Sequence, residues 1–425
     1  INTSVDLITS VKYPDSDSVL VFIQIITNYL KIFCLAGLDD NHQPNINNSH
    51  LQEINKFAHY LPGAISELIQ DRWIEFPWKK YFMNSAHQMF KKLSEYEPCV
   101  SHKPFKLAGV QLKSKWLYIK YNNKYFVSIE HSNAEYEQMD AVTDLFQEPI
   151  RLQAKRKDQI QPPIKYWEYT NKTIIFKAMQ NWNQISSKSI RETLFTMIKE
   201  CTQFKPTLVV AIIKQFGSKK MLDFSAGWGD RLIGALAAGV SVYTGFDPNT
   251  ALKPGHGQII DQFANNNQQV NIEYTPFQSA ELKNNQQYDL IFTSPPYFDF
   301  EKYTDQPGQS IQDFTTVQAW LVNFLLASIY KSWQVLETSG HMAIHITDTK
   351  QVKVCEIMIL FVLAFLPGSA YCGVIASQGS VSGLARPVWI FKKNTHTSQL
   401  KYKAKQTGNK FHKNIWIELT QKYNT

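Results

Sequence analysis

Hydrophobic and polar positions change their spacing three times along this chain. Over residues 19–95 apolar side chains recur at helical intervals, and the stretch is predicted to be mainly helical. Residues 110–130 instead alternate aromatic or β-branched residues with polar ones around Asn122 and Asn123, which predicts a β-hairpin. Helical spacing then returns. Ser189 and Glu192 stand at capping-box spacing before a helix that carries Leu194, Met197, Ile198 and Cys201 inward. A second helix is predicted to begin at Pro206 and stop at Gly217.

From residue 220 onward short apolar runs alternate with amphipathic ones. Strands are predicted at 220–224, 242–246, 271–274, 289–293, 341–346, 371–376 and 387–392. Helices are predicted at 231–238, 257–265, 317–336 and 352–366. Repeated β-α units predict a mostly parallel sheet with helices on both faces. The last two strands have no helix between them and are expected to form an antiparallel hairpin at one edge.

Glycine usage divides the chain in the same place. Of 18 glycines, only Gly37, Gly63 and Gly109 precede residue 206. Glycine serves where backbone turns tightly or approaches a ligand, so the C-terminal half is expected to hold a crevice. The boundary is placed at 151–163, a polar, basic stretch ending in two prolines. The expected organisation is an α+β domain over 1–163, an α/β domain over 164–395 and a basic, peripheral tail over 396–425.

Composition narrows the class. At 13% aromatic residues the 425-residue chain is a folded protein. The run 357–365 is about half a bilayer span, and Gln24, Thr27, Asn28 and Lys31 interrupt the apolar stretch 19–38, so no membrane segment is expected. Five scattered cysteines without a C-x-x-C pair indicate neither zinc nor disulfides and fit an intracellular setting. No metal is expected. The net charge of +8 permits a polyanionic partner without requiring one.

Three segments carry the chemistry. The first strand runs into Asp223-Phe-Ser-Ala-Gly227-Trp-Gly229, a glycine turn before a helix, which is the layout of a nucleotide-type crevice. Asp223 is expected beneath the ligand. The next strand ends in Asp247, about 20 residues on, where a carboxylate accepts hydrogen bonds from ribose hydroxyls. The fourth strand ends in Ser294-Pro295-Pro296-Tyr297. Two prolines remove two N–H donors and leave carbonyls as acceptors, Ser294 adds another, and Tyr297 offers a flat face. Together they suit a planar molecule bearing an exocyclic NH2.

These segments resemble class I S-adenosylmethionine-dependent methyltransferases, specifically those that modify exocyclic amines of nucleic-acid bases. The resemblance spans about residues 200–395 and implies a Rossmann-like α/β domain with a seven-stranded sheet. It implies that Asp223, Phe224, Ser225, Ala226, Gly227 and Gly229 hold the methionine part of S-adenosylmethionine. Asp247 and Pro248 would hold ribose, and Gln278 and Ser279 would flank adenine beside Phe277. Lys205 and Pro206, in Phe204-Lys-Pro-Thr207, resemble a cofactor-flanking motif. Ser294, Pro295, Pro296 and Tyr297 match the catalytic motif, with Ser first as in cytosine-N4 enzymes. The Gly308-Gln309 pair also resembles that pattern. Two features depart from it: many cytosine-N4 enzymes place the catalytic motif first, and Trp228 occupies a turn position usually held by a smaller residue.

The target base must leave its stack, so base flipping or a single-stranded substrate follows. Phe298 and Phe300 are expected to wall the base, while 377–386 is read as a loop from which Arg386 meets phosphate. His341, His345 and Asp348 are read as structural. Lysines interleaved with aromatics in 113–126 and the cluster Lys155-Arg156-Lys157 suggest a phosphate-tracking or partner-docking surface. The expected partner is nucleic acid, DNA before RNA. Rival readings are an adenine-N6 or RNA methyltransferase, a protein glutamine methyltransferase (which would call for Asn at 294), and a binding subunit without catalysis.

Overall fold

Strand residues alternate between two separate cores, and that alternation organises the molecule. The computed structural model describes residues 76–79, 82–101, 106–107, 109–110, 127–130, 139–181, 187–282, 286–348, 353–378, 384–395 and 410–423. The helices expected over 19–75 and most of the hairpin expected at 110–130 lie outside the described residues. The described residues form two units: 76–79 with 159–200, and 82–158 with 201–423.

In chain order the elements begin with α1 (Met83–Glu95), β1 (Val100–Ser101), β2 (Lys106–Leu107) and β3 (Val127–Glu130). Next come α2 (Asp144–Arg151), β4 (Lys155–Arg156), α3 (Pro163–Asn181), α4 (Ser187–Met197) and α5 (Pro206–Phe216). Then follow β5 (Lys220–Asp223), α6 (Asp230–Ala237), β6 (Val242–Phe246), α7 (Lys253–Phe263), β7 (Gln269–Glu273), β8 (Tyr288–Thr293) and β9 (Glu301–Lys302). The last are α8 (Ser310–Asp313), α9 (Val317–Trp320), α10 (Leu326–Gln334), β10 (Leu336–His345), α11 (Val354–Phe365), β11 (Ser369–Gln378), β12 (Leu384–Lys393) and α12 (Lys410–Tyr423).

In the smaller unit α3 and α4 pack together, and Phe76 meets Trp167 edge-on at 5.9 Å between ring centroids. Ser189 does not cap α4. The helix starts two residues earlier, at Ser187, so Ser189 is buried inside it and its carbonyl accepts the Thr193 hydroxyl at 2.9 Å.

The larger unit is built on one sheet, ordered β1-β3-β11-β12-β10-β8-β5-β6-β7, with β2 beside β12. The pairs β5–β6, β6–β7, β5–β8 and β8–β10 are parallel, whereas β12 runs antiparallel to both β10 and β11. The hairpin β11–β12 is therefore present but not at the edge. β3 pairs parallel with β11, and β1 pairs with β3 beyond it.

Because strand side chains point alternately to opposite faces, neighbours on one strand enter different cores. Met221, Tyr243, Leu290 and Phe292 join α1, α5, α6 and α7 on one face. Leu222, Phe246, Ile291, Met342 and Trp389 join the 320–333 helical segment, α11 and α12 on the other. The predicted helix 317–336 is interrupted by a π turn, Leu321–Leu325, between α9 and α10. The segment expected as a peripheral tail ends in α12, whose Ile415, Trp416 and Leu419 are buried in this core. Trp416 stacks on Phe365 at 5.5 Å.

Two close approaches set the sheet's support. Gly234 on α6 lies so near α5 that a Cβ there would sit 2.5 Å from the Val209 Cβ and 2.8 Å from the Pro206 carbonyl oxygen. Gly234→Ala is expected to cost about 1–3 kcal/mol by overpacking, read as a lower urea midpoint. The expected linker at 151–163 is structured. The buried Arg151 pairs with Asp144 at 2.9 Å, and β4 forms an antiparallel ladder with β9, Arg156 opposite Glu301. Among the described residues no helix is long and apolar enough to cross a membrane.

Candidate active site

The carboxyl ends of β5, β6, β8 and β10 lie at one end of the sheet, and the order reverses at β5. That is where an open α/β sheet leaves a crevice. After β5 the chain turns through Gly227 (φ 59°) and Gly229 (φ 95°), both left-handed, and enters α6 at Asp230. A Cβ at Gly229 would meet Ile259 at 3.0 Å, so the turn also presses on α7.

Asp223, expected beneath a ligand, lies under the glycine turn and does not line the cavity described below. Its buried carboxylate accepts from Arg231 Nε at 2.7 Å, Tyr243 OH at 3.1 Å and Ser225 N at 3.2 Å. Arg231 also donates to the Ser225 carbonyl, so the pair holds the turn from below. A second brace comes from α7. The His256 ring reaches the Gly227 carbonyl through Nε2 at 2.9 Å, and its Nδ1 lies 3.0 Å from Tyr274 OH. With Nε2 donating and Nδ1 accepting the phenol, both contacts are satisfied by a neutral ring. Burial pushes the His256 pKa down to about 4.

Asp247 follows β6 and accepts the Gly227 and Asn249 N–H groups, each at 2.9 Å. Burial pushes its pKa up to about 6, against the lowering effect of those two N–H groups. Asp230, buried at the start of α6, is raised by burial to about 7.

Beyond β8 lies Ser294-Pro295-Pro296-Tyr297. Parallel pairing sets Ile344 beside Thr293, so His345 comes next to Ser294. Its Nδ1 lies 3.1 Å from Ser294 Oγ and 2.9 Å from Tyr297 OH. Burial, then the nearby Arg386 and Arg231 charges, pushes the His345 pKa down to about 3, so the ring is neutral. Burial also drives the Tyr297 phenol well upward. Phe298 adopts a left-handed φ of 53° and turns into the core against Trp320, 5.8 Å away, so it does not line the cavity. Phe300 is 45% exposed and carries the Arg156 guanidinium 5.0 Å from its ring centroid.

These parts open into one cavity of about 230 Å³, several times a water's share of about 30 Å³. Of the expected residues, Phe224, Ser225, Ala226, Gly227, Asp247, Pro248, Gln278, Ser294, Pro295, Pro296, Tyr297, Phe300 and Arg386 line it. Asp223, Gly229 and Phe298 stand behind its wall, Lys205 and Pro206 begin α5, and Ser279 faces solvent. Arg386 reaches the cavity from β12 rather than from a loop, since Ser377 and Arg386 are paired in the β11–β12 ladder. The tip, 379–383, lies outside the described residues.

In this wall sequence reasoning missed Arg231 and Tyr303 and read His345 as structural; Arg156, Phe204 and Trp228, which it had named in a basic cluster, a flanking motif and the glycine turn, also line it. The signal for His345 was its place at a strand end beside the motif strand. Its companions do not join it. His341 stacks on Phe216 at 4.2 Å, and Asp348 accepts the Cys355 N–H at 2.9 Å, capping α11.

Numbered from β5, the strands run 3-2-1-4-5 and then admit an antiparallel strand before the sixth, with the crevice at the reversal. The fold is a Rossmann-like, doubly wound α/β fold. No protein-family model matches the chain, and no curated protein is similar to it in sequence. The chain is similar to several solved structures at low identity and low TM-score. TrmN from Thermus thermophilus is 13% identical with a TM-score of 0.33, the match covering 45% of this chain and 49% of that one. A methyltransferase from Pyrococcus furiosus is 17% identical with a TM-score of 0.31, covering 45% of this chain and 84% of that one. Magnesium protoporphyrin IX methyltransferase from Synechocystis PCC 6803, with bound SAM, is 10% identical with a TM-score of 0.32, covering 54% and 94%. Strand order, not these similarities, carries the fold assignment.

Proposed function

We propose that this protein is an S-adenosylmethionine-dependent methyltransferase acting on the exocyclic amine of a nucleic-acid base, with cytosine N4 in DNA as the target. One observation carries the reading: the glycine turn with Asp247 and the Ser294–Tyr297 motif open into the same cavity. The wall suits the cofactor. Asp247 offers a carboxylate for ribose hydroxyls, and the buried Gln278 Oε1 and Gln309 Nε2 have no hydrogen-bond partner, as suits a nucleobase edge.

When bound, the cofactor supplies an electrophilic methyl group. Ser294 Oγ and the Pro295 carbonyl accept the two hydrogens of the target amine, which turns its lone pair out of ring conjugation. Tyr297 presents its ring to the base. Catalysis then rests on position and electrostatics, with no covalent enzyme intermediate. Phe300 and Arg386 receive the extruded base and its phosphate. The segment before residue 163 takes a recognition role, because basic strand β4 borders the cavity mouth through its ladder with β9.

The test is incubation with labelled S-adenosylmethionine and separate DNA and RNA pools, followed by nucleoside mass spectrometry. N4-methylcytosine in DNA is the expected product. N6-methyladenine or an RNA product would keep the mechanism and change the base, while product-analogue binding without any methylated nucleoside would sink the nucleic-acid reading.

Asp247 adds a pH signature. Ribose hydroxyls donate to its ionised form, and its pKa near 6 leaves it largely protonated at pH 5. Affinity for S-adenosylhomocysteine is expected to rise about tenfold from pH 5 to 7 and level off above. Titration calorimetry on Asp247→Asn should show weaker binding and no such step.

A further inference from the structure

Two hydroxyls of the Ser294–Tyr297 motif converge on one ring nitrogen, His345 Nδ1, at 3.1 and 2.9 Å. The motif needs such a tie. Pro295 and Pro296 have no N–H groups, so the backbone between Ser294 and Tyr297 has no donor with which to close its own turn. The next backbone bond begins only at Tyr297, whose carbonyl accepts the Phe300 N–H at 3.2 Å. His345 provides the closure from the neighbouring strand, since β8–β10 register places it alongside Ser294.

A hydroxyl has one hydrogen, and where it points decides what the oxygen offers. If the Ser294 hydrogen pointed into the cavity, the side chain would repel an amine N–H. We infer that His345 is a positioning residue: as the Nε2–H tautomer its bare Nδ1 shares its one lone pair between the hydroxyl hydrogens of Ser294 and Tyr297 in a three-centre bond, leaving Ser294 lone pairs for the amine and fixing the Tyr297 ring. This rests on the amine-methylation reading for its consequence, but not for its geometry. The ring is 7% exposed, with Phe204 edge-on at 5.1 Å. Tyr297, Arg231 and Arg386 are the titratable groups around it, and burial, then the two arginine charges, keeps it neutral. A neutral ring adds no positive charge to a site that must accept a cationic methyl donor.

The first measurement is the ring-nitrogen NMR of histidine-labelled protein, alone and with S-adenosylhomocysteine, with His345→Phe assigning the signal. An unprotonated Nδ1 that persists from pH 8 to 5 is expected; a protonated Nδ1 would overturn the inference even if no substrate were ever found. The second is kinetic. His345→Phe should lower kcat about tenfold with KM and S-adenosylhomocysteine affinity little changed. His345→Asn, whose δ oxygen can occupy the Nδ1 position, should recover most of it. Wild-type kcat in a folded His345→Phe, or no recovery in Asn, would refute the role. Failure of wild type to bind S-adenosylhomocysteine would instead bring down the cofactor reading, with the tautomer result standing by itself.

Discussion

Ser294→Ala is expected to lower the rate of methyl transfer about 10²-fold while leaving cofactor affinity within about twofold. The side chain lines the cavity, but its bonding partner is His345 rather than any residue of the glycine turn or of Asp247. The substitution therefore removes an acceptor for the amine without touching the groups assigned to ribose or nucleobase. Single-turnover rates with bound labelled cofactor would read the effect on the chemical step. An unchanged rate would show that the amine is held elsewhere, and a parallel loss of cofactor binding would show that Ser294 belongs to the cofactor's wall. Because His345 acts through Ser294 and Tyr297, its Phe variant should lose less than Ser294→Ala.

Arg231→Met is expected to destabilise the protein by about 3–5 kcal/mol, the largest stability effect of a single polar substitution here. Asp223 is fully buried and Arg231 nearly so, at 2.7 Å. Removing the guanidinium leaves a buried carboxylate supported only by Tyr243 OH and the Ser225 N–H. It also frees the Ser225 carbonyl in the glycine turn. The contrast is Lys220–Glu337, a half-exposed pair at 3.1 Å, where Lys220→Met should cost under about 1 kcal/mol. Urea unfolding of both variants separates the cases. If Arg231→Met cost no more than Lys220→Met, the brace beneath the turn would be dispensable. The double variant with Asp223→Asn should recover part of the loss, because neither charge is then left alone in the core.

The C-terminal half was legible because its signals are local. A strand of four to six apolar residues, a glycine turn and a following helix each announce themselves within a dozen residues. Hence Val242–Phe246 and Pro206–Phe216 appear where periodicity places them. The helix over 317–336 was legible as a helix but not as one with a π turn, since the extra residue in that turn leaves the apolar pattern almost unchanged. α12 was misread because 401–410 is basic and polar, although Ile415, Trp416 and Leu419, which the core buries, follow it. The strands before residue 163 were hidden for another reason: β1, β2 and β4 are two residues each, too short for any alternation to show.

Within the site, motif residues were legible and their companions were not. Asp247 and Ser294–Tyr297 stand beside their own strands, so sequence position alone carried them to the crevice. Asp223 looked equivalent, yet Arg231, the second residue of α6, claims its carboxylate. The sequence by itself determined the order of strands and helices, the two motifs and the absence of donors at Pro295 and Pro296, because these follow from side-chain chemistry and short-range spacing. Only the tertiary structure decided that β12 inserts between β10 and β11, that β4 pairs with β9, and that His345 stands next to Ser294. Those facts depend on pairing and register between segments tens of residues apart or more, where a slip of one residue turns a side chain to the opposite face and no local pattern records the choice.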